Sequence, residues 1–483
     1  MALGNISLPQ KPVAPASKVP AITNWTPVLP YTVKQTSISA LYYFKFILEI
    51  RIDDGSGELL GKIKQRHNGY ATVTNVHTIF DVSKIINSQL EATYNDQNST
   101  ADSIHTLGKN VAAKIFSHNY NQLKYIYVKA YQQYSSTING VPLEDAAENA
   151  TDSLYYISAS FPLETARTAG EFFQGTTFQV FQTKDVNGRF LSDVQQSSGD
   201  VVKTSVYRNY IQDTDYHTVA FLNSETDFDS DIDIIEINYY DSSGGQIGSA
   251  QSITNENSTG GANPASAGGE ADTVAEKLLY FGCGPGNLEA STVTPVGGSS
   301  GDAQPSNFAN WVYYTIQGKD DTGTPAASTA LYYFIKQDTS CKGFKGRRLG
   351  WRNSVGCWDY FNFKMKSTQS VEVKRDSYSK MLGEFNSTEY GYNNFDRGVK
   401  NRNVEARLTE VLNTDFITEQ DAQLLEKLII SDDVFIIENA DTDYTVPIII
   451  RDSSFVRKTV ANDGVRMQYT IQIEYANPLN TNS

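Results

Sequence analysis

The chain has 483 residues, of which 40% are hydrophobic and 20% charged, and 40 Lys and Arg against 55 Asp and Glu give a net charge of −15. Hydrophobic and charged fractions of this size are ordinary for folded globular protein and exclude a largely disordered chain. The acidic excess argues against nucleic-acid binding over a broad face, because such a surface repels phosphates.

Aromatic residues are the unusual part of the composition, with 29 Tyr and 23 Phe. Both residue types favour strands, and Tyr also favours interfaces because one end is apolar and the other forms hydrogen bonds. The three cysteines are too few for a disulfide scaffold and fit a reducing cytoplasm. No apolar run approaches the ~20 residues that span a bilayer, so we expect neither membrane insertion nor, from the first residues, a signal peptide.

Residues 1–30 hold six of the 15 prolines, which exclude a helix or a central strand. We predict an extended Pro-rich N-terminal arm, which is either a floppy terminus or a segment that lies along a neighbouring subunit. Ordering such an arm costs about 1–2 kcal/mol per residue, so a fixed arm needs a partner surface. The interface candidates here are Pro9, Pro12, Pro15, Pro20 and Trp25.

The middle of the chain predicts short strands separated by turn signals, which are typical of β-sandwiches. Clear strands are 41–52, 125–131 and 232–240. The fold class is therefore predicted to be mainly β, with tandem β-sandwich-like domains. The predicted segments are a β-rich domain over 31–150, a β-sandwich-like domain over 151–253, a Gly- and Ser-rich linker or loop over 254–272, and a β-rich domain with an aromatic motif over 273–399.

Carboxylates alternate just before the clearest of these strands, at Asp227, Asp229 and Asp231. On a strand they share a face, which suits either a solvated acidic surface or hard oxygen ligands for Ca²⁺. Ile232 stands where the turn of a calcium loop needs Gly. We therefore predict an acidic surface available to a partner, and no metal site.

Residues 400–483 predict a small α+β C-terminal domain. Thr418 to Asp421 resembles a helix-capping box, and Ala422, Leu425 and Leu428 then lie on one helical stripe. The final strand alternates apolar and polar residues from Met467 to Tyr475, as expected for one buried and one wet face.

No spacing typical of catalysis occurs. The five histidines are scattered, and neither a phosphate-binding Gly-rich loop nor a Gly-x-Ser-x-Gly elbow is present. Cys283, Cys341 and Cys357 have no C-x-x-C spacing, and buried structural cysteine is the commoner interpretation. We therefore predict a protein that is not an enzyme and that has no cofactor.

One basic cluster stands out in this acidic chain, with Trp351 and Trp358 beside it. It suits an anionic partner or single-stranded nucleic acid, or it pairs with acidic residues of the same chain or a neighbouring copy. The aromatic residues that follow form either core or interface, with Trp351 and Tyr360 the better interface candidates. The basic candidates are Lys345, Arg347, Arg348 and Arg352.

This segment, from Cys341 to Phe363, resembles a segment in virion structural proteins of tailed bacteriophages, especially marine and Bacteroidetes-type phages. It departs from that pattern at Gly350, Trp351 and Cys357. The order of the C-terminal elements is similar as well, so the resemblance covers about the last 150 residues. The matching positions in the segment are Cys341, Arg348, Leu349, Asn353, Gly356, Asp359, Phe361 and Phe363.

The resemblance implies a tail, baseplate or neck component of a virion, assembled in the host cytoplasm, and it brings no catalytic residues. Together with the composition, it predicts a multimeric structural protein that binds other copies of itself and other virion proteins. The alternative is a receptor- or carbohydrate-binding adhesin of the virion, which would contact a host surface receptor.

Overall fold

The computed structural model describes the chain except for residues 1–5, 8–20, 23–29, 54–55, 68–73, 92–93, 95–102, 119–121, 146–148, 151–153, 158–189, 194–208, 223–233, 256–277, 320–330, 338–343, 345, 354–355, 386, 418, 438–444, 453, 457–466 and 480–483. The fold of the described residues is mainly β, as the composition predicts. They divide into two compact units: unit 1 comprises Met1–Gln337 and Arg352–Tyr360, and unit 2 comprises Asp338–Trp351 and Phe361–Ser483.

The strands up to residue 337 are β1 (Ile6–Ser7), β2 (Ala21–Ile22), β3 (Pro30–Ser37), β4 (Tyr42–Ile52), β5 (Leu59–Gln65), β6 (Thr74–Asp81), β7 (Phe116–His118), β8 (Leu123–Ser135), β9 (Leu143–Glu144), β10 (Asn149–Ala150), β11 (Leu154–Ile157), β12 (Asn209–Ile211), β13 (Thr218–Leu222), β14 (Ile234–Tyr240), β15 (Gln246–Thr254), β16 (Leu278–Gly282), β17 (Tyr313–Lys319) and β18 (Tyr332–Lys336). The helices of this part are α1 (Ser83–Asn87), α2 (Pro285–Ala290) and a 3-10 turn over Pro305–Asn307.

The remaining strands are β19 (Arg347–Arg352), β20 (Trp358–Phe363), β21 (Thr368–Ser379), β22 (Glu384–Phe385), β23 (Tyr390–Gly391), β24 (Val399–Asn413), β25 (Val434–Ile437), β26 (Thr445–Ile450) and β27 (Thr470–Tyr475). Helix α3 (Glu419–Ile430) lies between β24 and β25.

Four sheets form unit 1 among the described residues. The largest has the order β2-β11-β8-β4-β5, with β9 and β10 also on β8. A sheet of order β12-β18-β17-β14-β15 follows, together with two smaller sheets, β1-β3-β6 and β13-β16-β7. Their long aromatic and β-branched side chains fill two separate hydrophobic cores, one built from residues 31–131 and one from residues 115–334.

The sheets of unit 1 cross two predicted domain boundaries. Strand β11, placed by the sequence in a second domain, pairs with β8 of the first. Strand β13 pairs with β16 from the predicted third domain. The predicted boundaries between the domains over 31–150, 151–253 and 273–399 are therefore corrected, because strands on both sides of each boundary pair with one another and lie in one compact unit. The proposed 254–272 linker lies almost wholly outside the described residues.

Unit 2 is built on a sheet of order β20-β19-β25-β26-β27-β24-β21. Helix α3 buries the predicted stripe of Ala422, Leu425 and Leu428. Strand β27 shows the predicted alternation, except that Glu474 is buried as well. The predicted boundary at 399/400 is wrong, because it separates β21 from β24, two strands paired in one hairpin.

We predict that Leu425→Ala lowers the free energy of unfolding of unit 2 by about 2–5 kcal/mol, because it removes methyl groups that are fully buried on the apolar side of helix α3. Glu426→Ala is the matched control on the same helix, and its exposed side chain predicts a change within about 0.5 kcal/mol. Native-state hydrogen exchange of β27 amides measures both. Equal effects of the two substitutions would contradict the assigned burial.

Candidate functional site

The basic segment is used inside unit 2. Arg347 Nε lies 3.1 Å from Glu410 Oε1, and Arg348 Nη1 donates to Asn362 Oδ1 over 2.8 Å. Arg348 is buried, and Arg347 is half-buried. The interpretation that the basic residues pair with acidic residues of the same chain therefore describes Arg347, whereas Arg348 bonds to a neutral amide. The prediction that Arg347 and Arg348 form an exposed surface for an acidic neighbour is corrected, because both side chains are bonded within the chain.

Both aromatic interface candidates are buried. Trp351 is 0% exposed and Tyr360 is 3% exposed, so neither side chain is presented to a partner. The Tyr360 hydroxyl lies 2.7 Å from His105 Nδ1, and its ring packs on that of His217. Of the two interpretations that the sequence left open, core is the one observed for these residues, and the interface prediction is corrected.

The end of the motif forms a buried polar cluster. The Asp193 backbone N–H donates to Asp359 Oδ2 over 2.8 Å, and the Ser192 hydroxyl also donates to Asp359. Burial raises the pKa of Asp359 to about 7 and that of Cys357 to about 12. A thiol with so high a pKa stays protonated at neutral pH and is a poor nucleophile. The cluster ties residues 190–193 to the motif.

The other sequence candidates have different outcomes. Arg352 is half-buried in β19. Across the described part of the chain, no three His, Cys, Asp or Glu side chains are grouped as metal ligands. Among the helices that the structure describes, none has the length and apolar character needed to cross a membrane. Outside the described residues lie Pro9, Pro12, Pro15, Pro20, Trp25, Asp227, Asp229, Asp231 and Lys345.

The most exposed regular structure is a hairpin that the sequence reasoning missed. Strand β24 pairs with β27 only over Thr409–Asn413, whereas its pairing with β21 continues to Val399. All twelve residues of β21 are exposed, and β21 is the edge of its sheet. Residues 373–379 alone span roughly 23 Å at about 3.3 Å per residue. We call residues 373–403 the long hairpin.

The end of this hairpin, residues 380–398, is the hairpin tip, and its backbone is closely specified. Lys380 N donates to Gly398 O over 2.7 Å, and β22 pairs with β23. Gly383 has a φ of +74°, and a Cβ there would collide with the Gly391 carbonyl oxygen. Asn393 N donates to Asp396 Oδ2 over 2.8 Å, which closes a further turn. These contacts therefore hold the backbone of the described part of the tip at several points.

Large apolar side chains cover the hairpin tip. Phe395 is 79% exposed and Tyr392 is 70% exposed. Exposed apolar groups that are contiguous and held by a fixed backbone mark interaction surfaces, whereas single exposed ones are ordinary. A sequence signal was present in the aromatic residues spaced among Gly and Asn between 390 and 395. The exposed set is Met381, Leu382, Phe385, Tyr390, Tyr392 and Phe395.

Buried carboxylates anchor the base of the long hairpin. Glu474 accepts hydrogen bonds from Arg407 Nη1 and Arg451 Nε, both over 2.7 Å, and Arg451 also reaches Glu372. The Arg407 bond, followed by the bond from Arg451, lowers the pKa of Glu474. Burial alone would raise the pKa of Glu410, but hydrogen bonds to it outweigh burial and lower it. The network joins β21, β24, β26 and β27 below the hairpin.

The long hairpin needs more than its own hydrogen bonds. A two-stranded hairpin alone in water is marginally stable, because it buries little apolar area. A long edge strand also presents unpaired backbone groups, which proteins usually cover or blunt with charges. Here β21 carries Glu372, Lys374, Arg375 and Asp376 along its length. The charges oppose indiscriminate pairing along the strand, and the apolar tip remains as the surface for a specific contact.

No family model matches the chain, and no curated protein matches it.

We predict that Glu474→Gln lowers the stability of the hairpin base at pH 7 by about 1.5–3 kcal/mol, the usual contribution of hydrogen bonds to a charged group. Because the pKa of Glu474 in the folded chain lies below its ordinary value of 4.5, its stabilising effect is complete above that pH. The effect is lost as the pH falls through the lowered pKa, so the two proteins converge in acid.

Hydrogen exchange of β24 amides at a series of pH values measures this difference. Glu384→Gln at the exposed tip is the control and should leave the base unchanged. A difference between Glu474→Gln and the parent chain that stays constant as the solution is acidified would contradict the assigned role of the carboxylate.

Proposed function

We propose that this chain is a structural component of a tailed-phage virion, in the tail, baseplate or neck, and that it forms a multimeric assembly through protein–protein contacts. The observation that carries the proposal is the long hairpin, whose exposed apolar tip has a specified backbone. The resemblance of residues 341–363 to virion structural proteins supports the virion as the place of assembly.

The tip offers a partner apolar area to bury. Full burial of an exposed large apolar side chain contributes about 1.5–3 kcal/mol, and the six side chains are 43–79% exposed, so burying what remains contributes roughly 6–11 kcal/mol before costs. Association costs about 4–15 kcal/mol in lost freedom of motion. Because hydrogen bonds already hold the backbone of the tip, docking costs little further conformational entropy. The free energy of association is then favourable when the partner surface is also preformed.

The chemistry of the buried groups supports a role without catalysis. Cys357 is held as a thiol in the core, and the His105 and His217 rings pack against Tyr360 inside unit 1. A nucleophile or general base must reach its substrate, and these groups are buried. We accordingly assign the aromatic and polar side chains of this segment to packing.

A second candidate function is a carbohydrate-binding adhesin of the virion. Tyr390 and Tyr392 are exposed at the hairpin tip, and Glu389 and Asp396 neighbour them in the sequence. Exposed tyrosine rings beside carboxylates suit stacking on sugars and hydrogen bonding to their hydroxyls. Binding of the purified chain to a glycan array, abolished by Tyr392→Ala, would favour the adhesin over assembly.

We predict that replacing residues 380–398 by Asn-Gly abolishes self-association and leaves the two units folded. Ser379 and Val399 are the last pair of the hairpin, and Asn-Gly closes a two-residue turn between such partners. Analytical ultracentrifugation of the full chain and the shortened chain at micromolar concentration measures assembly, and circular dichroism checks the fold. A shortened chain that assembles like the full chain would refute a role for the tip.

The virion location has its own test. Antibodies against the purified chain should label intact particles at one end in immunogold electron microscopy. The antibodies are first shown to bind the purified chain. If intact particles then stay unlabelled and the denatured proteins of those particles do not bind the antibodies either, the protein lies outside the virion.

A further inference from the structure

A second exposed apolar surface lies in unit 1. Strand β9 returns along β8 after a turn, and the Gly140 N–H donates to Thr137 O over 3.1 Å. Val141 is 79% exposed and Leu143 is 71% exposed. Ile138 and Tyr43 are exposed beside them, and the Tyr43 hydroxyl donates to Ile138 O over 2.7 Å. We call Tyr43, Ile138, Val141 and Leu143 the loop patch.

Hydrogen bonds hold the backbone beneath the loop patch. Ser135 Oγ donates to Thr137 O over 2.8 Å, and the Thr137 N–H donates back to Ser135 Oγ. Tyr43 itself has a φ of +60°, which a residue with a large side chain adopts only when its surroundings impose it. The apolar side chains are therefore presented on a backbone held at several points, as they are at the hairpin tip.

The charge distribution selects which surfaces can meet. Residues 1–337 contain 21 Lys and Arg against 34 Asp and Glu, whereas residues 373–403 contain 6 against 4. A long hairpin is therefore attracted to unit 1 of another copy, and two hairpins weakly repel each other. Residues 136–143 include no charged side chain, so covering the loop patch removes no charge from water.

From these surfaces we propose that the hairpin tip of one copy docks on the loop patch of a second copy. The inference rests on the proposed assembly function and names the partner of the tip. Both surfaces are exposed in a single chain, so each copy offers one tip and one patch. Contacts between two different surfaces repeat from copy to copy, and they generate a ring when the rotation closes or a filament when it does not.

Two paired variants test this contact. Tyr392→Glu with Phe395→Glu places charge on the tip, and Val141→Glu with Leu143→Glu places charge on the patch. Each pair should weaken self-association by roughly 30-fold or more, as expected for central apolar contacts. The matched controls are Phe416→Glu in unit 2 and Ile79→Glu in unit 1, because both are exposed apolar residues that belong to neither the hairpin tip nor the loop patch.

Mixing the two variants separates this contact from its alternatives. The tip variant keeps an intact patch and the patch variant keeps an intact tip, so a one-to-one mixture retains a single kind of productive contact. Sedimentation should show a dimer containing one chain of each variant and nothing larger. A mixture that stays monomeric would overturn the proposal, and dimers formed by the patch variant alone would indicate tip-to-tip pairing instead.

The remaining outcomes distinguish failure of the proposed docking surface from failure of the proposed assembly function. If the parent chain assembles and the tip variant dissociates while the patch variant assembles normally, the docking surface is wrong and the assembly function stands. If the parent chain alone is monomeric at high concentration, both fail, and the tip belongs to a different partner. Unchanged thermal unfolding of every variant confirms that the exposed substitutions leave the fold intact.

Discussion

Strand β24 sets the main constraint on unit 2, because one continuous strand serves two environments. Its last residues pair with β27 on one side and β21 on the other, inside the seven-stranded sheet. Its first residues pair with β21 alone. The buried half fixes direction and register for the exposed half, so the long hairpin inherits its orientation from a packed core. Glu410 and Glu474, with their arginines, lock the point where the two halves meet.

This arrangement separates stability from recognition. The residues that hold unit 2 together are buried apolar side chains and a network of ion pairs at the hairpin base. The exposed apolar residues lie beyond that network, at the hairpin tip. Surfaces of this kind can be large and apolar without weakening the fold, since the sheet supplies the folding energy and the hairpin adds exposed area.

Charge is distributed as unevenly as apolar surface. Most of the acidic excess lies in residues 1–337, and the segment of the long hairpin is slightly basic. In the proposed assembly, this distribution disfavours contacts between the acidic regions of two copies and favours contacts through the hairpin.

Local sequence patterns predicted the local structure well. The strand at Tyr42–Ile52, the helix at Glu419–Ile430 and the alternating strand at Thr470–Tyr475 all follow from periodicity, which depends only on neighbouring residues. The domain boundaries failed because pairing such as β11 with β8 depends on residues far apart in the chain. The prediction that Trp351 and Tyr360 lie at an interface was wrong for a related reason, since an aromatic side chain is equally suited to core and to interface.

The sequence by itself determined the fold class, the main elements and the sign of the charge on each region. Only the tertiary structure decided which aromatic residues are exposed. Trp351 and Tyr360 lie in a segment that pairs and packs on both sides, and they are buried. Tyr392 and Phe395 belong to the same residue classes, but their hairpin extends past its neighbouring strand, and nothing among the described residues covers them. Exposure is set by what lies beside a residue in space, which no local pattern encodes.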